Sequence, residues 1–176
     1  MASTTTQTSK TPENQARPQK ITTFLWFNDN AEEAVNFYVG IFQNSKIGKI
    51  SRYSKESAQA SGQPEGTVMT VAFTLDGQEF TAINGGPAFH FTEALSLVVH
   101  CRTQEEIDHY WNKLTQGGDA AAQMCGWLKD RYGLSWQIVP DQMLQLVADP
   151  EKGPKVMAAL LKMKKLDLAT LERAAA

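Results

Sequence analysis

Few residues in this chain could do chemistry unaided, and their spacing excludes the commonest arrangements. Histidine occurs at His90, His100 and His109, and cysteine at Cys101 and Cys125. His100 and Cys101 are adjacent, which invites a thiolate reading, because a catalytic thiol needs an imidazole within hydrogen-bond reach. Neighbours on a β-strand point to opposite faces, so this pair cannot make that bond. Cys101 reads as a small buried residue. Cys125, beside Gly126, has the better access, and inert burial of both is the simpler expectation. His109 falls on the polar side of a helix, and His90 stands between Phe89 and Phe91 next to Gly85-Gly86-Pro87. The glycine pairs Gly85-Gly86 and Gly117-Gly118 do not open a strand–turn–helix unit of the kind that cradles a nucleotide cofactor. The sequence also has no P-loop and no Ser–His–Asp elbow. The aromatic residues Trp26, Trp127, Trp136, Phe80 and Phe91 suit either stacking on a planar ligand or filling a core, and for any one of them except Trp136 the core is the simpler reading.

Composition narrows the field further. Of 176 residues, 42% are hydrophobic and 20% charged, enough apolar material for one domain-sized core. The formal net charge is −2, and the densest cationic run, Lys162, Lys164 and Lys165, reads as the polar side of a helix. Nucleic acid and anionic membranes are therefore poor partners. Two cysteines make no disulfide framework. No apolar run approaches the ~18 residues of a membrane span, and no cleavable apolar leader is visible, so a cytoplasmic protein is expected. Residues 1–19 are rich in Thr, Gln and Ser with no hydrophobic period, the composition of a disordered leader.

The elements that must position these residues emerge when the sequence is compared with itself. Ala34, Phe37, Tyr38 and Ile41 form one apolar helical stripe; Ile107, Tyr110, Trp111 and Leu114 form another, each shifted by 73. Each stripe follows a cap residue, Asn30 or Thr103, with a glutamate three positions on, the pattern of a capping box. The same offset lays the β-prone segment 21–27 over 94–100. A short strand near 46–53 and a hairpin, 67–75 and 78–84, follow the first helix, with Asp76-Gly77 as a type I′ turn. A weak strand around 119–124 and a hairpin with arms near 125–130 and 134–139 follow the second, turning at Tyr132-Gly133. Aligning Gly77 with Gly133 superposes Thr81 on Gln137 and Phe80 on Trp136. The expectation is two βαβββ modules, 20–92 and 93–140, with a helical segment, 141–176, in the same domain. Its stripes, Val156, Leu160, Leu161, Leu168 and Leu171, suit a helical pair capping the sheet or, alternatively, a dimer contact.

A tandem of βαβββ modules resembles the vicinal oxygen chelate superfamily, and more narrowly its PhnB-like branch, often named for 3-demethylubiquinone-9 3-methyltransferase. The likeness rests on Phe27-Asn28-Asp29-Asn30-Ala31-Glu32-Glu33-Ala34, Asn36-Phe37-Tyr38, Leu75-Asp76-Gly77-Gln78 and Asn84-Gly85-Gly86-Pro87. It continues through Cys125 to Gly133, Ser135-Trp136-Gln137 and Met163-Lys164-Lys165-Leu166-Asp167, covering about 20–173. The resemblance implies an α+β fold whose curved mixed sheet forms a cup with C-terminal helices outside it. The cup usually holds a divalent metal on ligands from the first and last strands of each module. Those positions are Thr23, Thr81, Ser96 and Gln137. Hydroxyls and an amide bind such metals weakly without charged companions, so no metal and no cofactor are expected. A pairing of Glu79 with His100 around an ion is a remote alternative. The cup better suits a small organic ligand held by hydrogen bonds. Trp136, beside Gln137, and Asn84, which ends its strand before Gly85-Gly86, join the expected ligand-binding set. A homodimer is expected by analogy with the family. The competing functions are a glyoxalase-type metal-dependent lyase, isomerase or dioxygenase, and a methyltransferase acting on a quinone precursor.

Overall fold

The computed structural model describes residues 19–176; the leader expected over 1–19 falls, apart from Gln19, outside the described residues. The first module runs β1 (Thr23–Phe27), α1 (Ala31–Val39), β2 (Lys46–Arg52), α2 (Lys55–Ser61), β3 (Val68–Leu75) and β4 (Gln78–Asn84). The second runs β5 (Ser96–Cys101), α3 (Gln104–Leu114), β6 (Asp119–Met124), β7 (Trp127–Lys129) and β8 (Ser135–Pro140). Each module makes one four-stranded sheet, in the orders β1-β4-β3-β2 and β5-β8-β7-β6. In both, the first strand lies parallel to the last and the other pairs are antiparallel. The α+β architecture of two repeated βαβββ units is thus the one the self-comparison predicts. The short helix α2 carries no apolar stripe and buries no residue, so periodicity could not reveal it.

Local chemistry explains the turns. Asp76 and Gly77 have φ of 46° and 80°, the paired left-handed geometry of a type I′ hairpin. Cys125 and Gly126, expected at the start of a strand, have φ of 53° and 86° and form an equivalent tight turn between β6 and β7. A Cβ on Gly126 would lie 2.9 Å from the Ile138 carbonyl oxygen, so glycine is required there by contact as well as by backbone angle.

The predicted helix stripes are buried as expected: Ala34 and Tyr38 on α1, and Ile107, Trp111 and Leu114 on α3. The two N-termini are capped differently. Thr103 accepts from the Glu106 N–H at 3.3 Å, while Glu106 Oε2 accepts from the Arg102 N–H at 2.6 Å. Asn30 makes no side-chain cap, and the Ala31 N–H instead donates to Asn84 Oδ1 at 2.8 Å. That cap comes from another strand, out of reach of any local pattern.

One core runs through both modules. The ring of Phe42, just past α1, stacks on that of Trp136 at 5.5 Å, and Tyr38 of α1 packs on the same indole. At this junction Asp130, 3% exposed, takes four hydrogen bonds. Its Oδ2 accepts from Tyr38 Oη and from Trp136 Nε1, each at 2.8 Å. Its Oδ1 accepts from the backbone N–H groups of Tyr132 and Leu134, at 2.8 and 3.1 Å. Burial pushes this carboxyl above the ordinary aspartate range, opposed by those four donors, and burial likewise raises Tyr38.

The C-terminal segment forms α4 (Met143–Ala148), α5 (Gly153–Leu160) and α6 (Leu168–Ala175) around a second core of Val139, Met143, Val156, Leu166, Leu171 and Ala175. The strap between α5 and α6 docks on module two. Its Met163 and Lys164 carbonyls accept from the Cys125 and Gly126 N–H groups at 2.8 Å. The C-terminal stripes are therefore spent mainly on the chain's own core, although Leu161 remains exposed.

Candidate functional site

Strand register decides which side chains are available to a ligand. In the first sheet Thr23, Leu25 and Phe27 lie opposite Phe80, Ala82 and Asn84, and next to these come Phe73 and Val71 of β3. This set faces α1. The alternate set, Phe24 with Thr81 and Ala72, and Trp26 with Ile83 and Thr70, lies on the open face. In the second sheet Leu97, Val99 and Cys101 join Trp136, Ile138 and Leu128 beneath α3, leaving Ser96, Val98, His100, Ser135, Gln137, Trp127 and Lys129 on the open face.

Three of the expected ligand-binding residues lie on open faces. Thr81 is on the first sheet, and Ser96 and Gln137 are on the second, where Gln137 Nε2 donates to Ser96 Oγ at 2.9 Å. Thr23 does not share a face with Thr81. It lies opposite Phe80, as Leu97 lies opposite Trp136, so the first strands correspond with an offset of 74, against 73 for the helices. The cause is the connector between strand and helix, which is one residue shorter in module two: residues 102–103 against 28–30. Thr22 takes the place equivalent to Ser96 and lines one cavity with Thr81.

Trp136 and Asn84 belong to the scaffold. Trp136 is 2% exposed and turned into the core, because successive strand residues alternate and Gln137 already occupies the open side. Asn84 is buried; besides capping α1, its Nδ2 donates to the Val68 carbonyl at 3.0 Å, and its own carbonyl accepts from Tyr53 Oη at 2.6 Å. Both of its side-chain polar atoms are engaged.

The open face of the first sheet holds a cavity of about 400 Å³ lined by Thr22, Lys46, Gly48, Ala72, Glu79 and Thr81. A second cavity of about 400 Å³ lies at the β5 edge, where Phe42, Phe80, Ser96, Val99, His100 and Trp136 meet. Trp26 crosses the loop after β4, its Nε1 donating to the Gly86 carbonyl at 2.9 Å. Gly85 is obligatory beneath it, since a Cβ there would lie 2.1 Å from the indole.

These residues do not fit a divalent metal. The donors at Thr22, Thr81, Ser96 and Gln137 are hydroxyls and an amide. Among the described residues no group of three or more His, Cys, Asp or Glu side chains is placed to hold an ion. Glu79 shares the open face with Thr81, where its Oε2 accepts from the Gln19 N–H at 3.1 Å; His100 lies on the other sheet. Cys101 is no nucleophile either. Burial pushes its thiol up to about 12, with Glu106 and Asp141 adding to the rise.

Because the helix-covered faces share one core, the two open faces are turned outward, and no strand of one sheet pairs with a strand of the other. A single chain therefore presents two separate open faces and does not gather the four expected positions around one point.

The family model for 3-demethylubiquinone-9 3-methyltransferase matches residues 19–139. A PhnB protein from Bacillus cereus that carries the same methyltransferase name is 45% identical over 69% of this chain and 99% of its own, with a TM-score of 0.60. Protein PA1353 from Pseudomonas aeruginosa is 20% identical over 70% of this chain and 98% of its own, with a TM-score of 0.57, a likeness of fold alone. FosX, a genomically encoded fosfomycin resistance protein from Listeria monocytogenes, is 14% identical over 73% of this chain and 98% of its own, with a TM-score of 0.46, too distant to bear on chemistry here. No curated protein matches the chain. The matched span, the identity to the Bacillus protein and the repeated βαβββ topology make this chain a member of the PhnB-like family of the vicinal oxygen chelate superfamily.

Proposed function

We propose that this chain is a metal-free small-molecule-binding protein whose ligand lies against the open sheet faces, and that it works as a homodimer in the cytoplasm. The observation that carries the reading is the donor set. Thr22, Thr81, Ser96 and Gln137 offer neutral hydrogen-bonding groups, flanked by the aromatic surfaces of Phe24, Trp26 and Trp127. Such a surface orients an organic ligand, and these four donors themselves supply no charge to hold an ion. Dimerisation is supported by apolar side chains left exposed on both open faces, Phe24 at 58% and Val98 at 45%. A second copy that laid its second sheet over this chain's first would close the half-sites. Two free cysteines agree with a reducing compartment, and no helix among the described residues is long and apolar enough to cross a membrane.

A second reading keeps the metal-dependent lyase, isomerase or dioxygenase chemistry of the wider superfamily. It is favoured by Glu79 and His100, a carboxylate and an imidazole that stand on different sheets. The methyltransferase name has less support, because no Gly-rich turn joins a strand to a helix in either module. Elemental analysis of protein purified without added metal separates the first two readings. Less than a tenth of an equivalent of zinc, nickel, iron or manganese is expected, and a stoichiometric ion would overturn the binding reading. Calorimetry with S-adenosylmethionine should give no heat.

A further inference from the structure

We infer that the second sheet's open face recognises a small aromatic acid, with Lys129 binding its carboxylate, Trp127 stacking on its ring, and Glu93 standing in for the acid while the site is empty. This deepens the reading just given and rests on it. Lys129 is the only lysine or arginine on β5 to β8. Its strand places it two residues from Trp127, so both side chains leave the sheet on the same side. In the neighbouring strand Trp127 lies opposite Gln137 and Lys129 opposite Ser135, and the next strand adds Ser96, opposite Ser135. An indole, an amide, the Ser96 hydroxyl and an ammonium thus share one patch, with Ser135 buried beneath it. The amide–hydroxyl bond between Gln137 and Ser96 leaves the Ser96 proton and the second Gln137 N–H free for a ligand.

The charge on this patch is already answered from within the chain. Lys129 Nζ forms an ion pair with Glu93 Oε1, which comes from the connector between the modules. The Lys129 side chain is 24% exposed and that of Glu93 64%, so the lysine belongs to the sheet and the glutamate lies over it from solvent. Hydrogen bonding to the ammonium holds the Glu93 carboxyl below its usual range. Asp119 lies opposite Lys129 on β6, but its Oδ1 accepts from the Ala121 N–H and it makes no ion pair with the lysine. An exposed carboxylate on a loop is a weak, exchangeable partner. A ligand carboxylate can take its place while its ring covers Trp127, and the displaced Glu93 carboxylate, already exposed, is left to water.

Benzoate and its neutral counterpart benzamide are the probes, titrated by calorimetry into the full-length protein, Lys129→Met and Glu93→Gln, with thermal melts to confirm folding. Wild type should bind benzoate about ten- to a hundredfold more tightly than benzamide, the range expected for a charge-assisted hydrogen bond. Lys129→Met should abolish that preference without changing benzamide affinity. Glu93→Gln should tighten benzoate severalfold by removing the competing carboxylate. Equal affinities in wild type, or a preference that survives in Lys129→Met, would overturn the aromatic-acid inference and leave small-molecule binding standing. Absence of saturable binding of either probe would also overturn it, while the metal content of the same preparation judges the broader reading separately.

Discussion

Asp130 shows how much a single side chain can decide here. Its carboxylate receives four donors from two modules, and an amide in its place would turn an NH2 group toward two of them. Asp130→Asn is expected to cost about 2–3 kcal/mol in urea unfolding, the penalty for buried donors left facing a donor. The pH dependence follows from the raised folded-state value. The folded protein holds this proton more tightly than the unfolded chain, so the contribution of Asp130 to stability falls as pH rises through that raised value. The gap between wild type and Asp130→Asn should therefore be wider near pH 4 than near pH 7 (ordinary aspartates titrate at about 3.9). A gap that narrows in acid would mean that the four donors, not burial, govern the carboxyl. Asp130 was legible only as one residue of a family-like motif. Its partner Tyr38 lies 92 residues away, and no local period connects them.

At the scale of elements, alternation along a strand separates roles that sequence proximity suggests are shared. Trp136 and Gln137 are neighbours on β8, yet one fills the core and the other lies on the open face. Trp136→Ala is expected to destabilise the fold by about 3–5 kcal/mol, the usual cost of emptying a buried aromatic site. Gln137→Ala, which gives up one half-exposed hydrogen bond, should cost less than about 1 kcal/mol while weakening ligand binding. Denaturant midpoints read alongside a binding titration test both; equal destabilisation would mean that Gln137 is a structural amide. The helices were well specified by sequence, because their stripes recur at 3.6 residues and only one face of each can be buried. The first strands were not. Shifting a strand by one residue exchanges its two faces, and the one-residue difference between connectors 28–30 and 102–103 did that to Thr23.

For the whole molecule, the shared core fixes the direction of the two open faces, and the dimer proposed above rests on that arrangement. Light scattering at micromolar concentration should return about twice the chain mass of 19.5 kDa. Phe24→Glu, which puts a charge into the exposed apolar patch of the first sheet, should shift the protein toward monomer and weaken ligand binding in parallel. A wild-type monomer would overturn the dimer, and a dimer untouched by the substitution would place the contact elsewhere. The C-terminal helices are poorer candidates, since Val156 and Leu171 are fully buried within the chain.

The sequence by itself determined the duplication, the βαβββ order, the helix stripes, the Asp76-Gly77 hairpin and the neutral chemistry of Thr81, Ser96 and Gln137. Each of these is written in residues close together or in a repeat that can be overlaid. Only the tertiary structure decided that Asn84 caps α1, that Trp136 belongs to the core, that Thr22 and not Thr23 lies on the open face of the first sheet, and that Lys129 joins Trp127 on that of the second. The physical reason is common to all four. Which side of a sheet a residue occupies, and which distant backbone group it meets, depends on strand pairing, and pairing is a property of the folded sheet that no single strand carries.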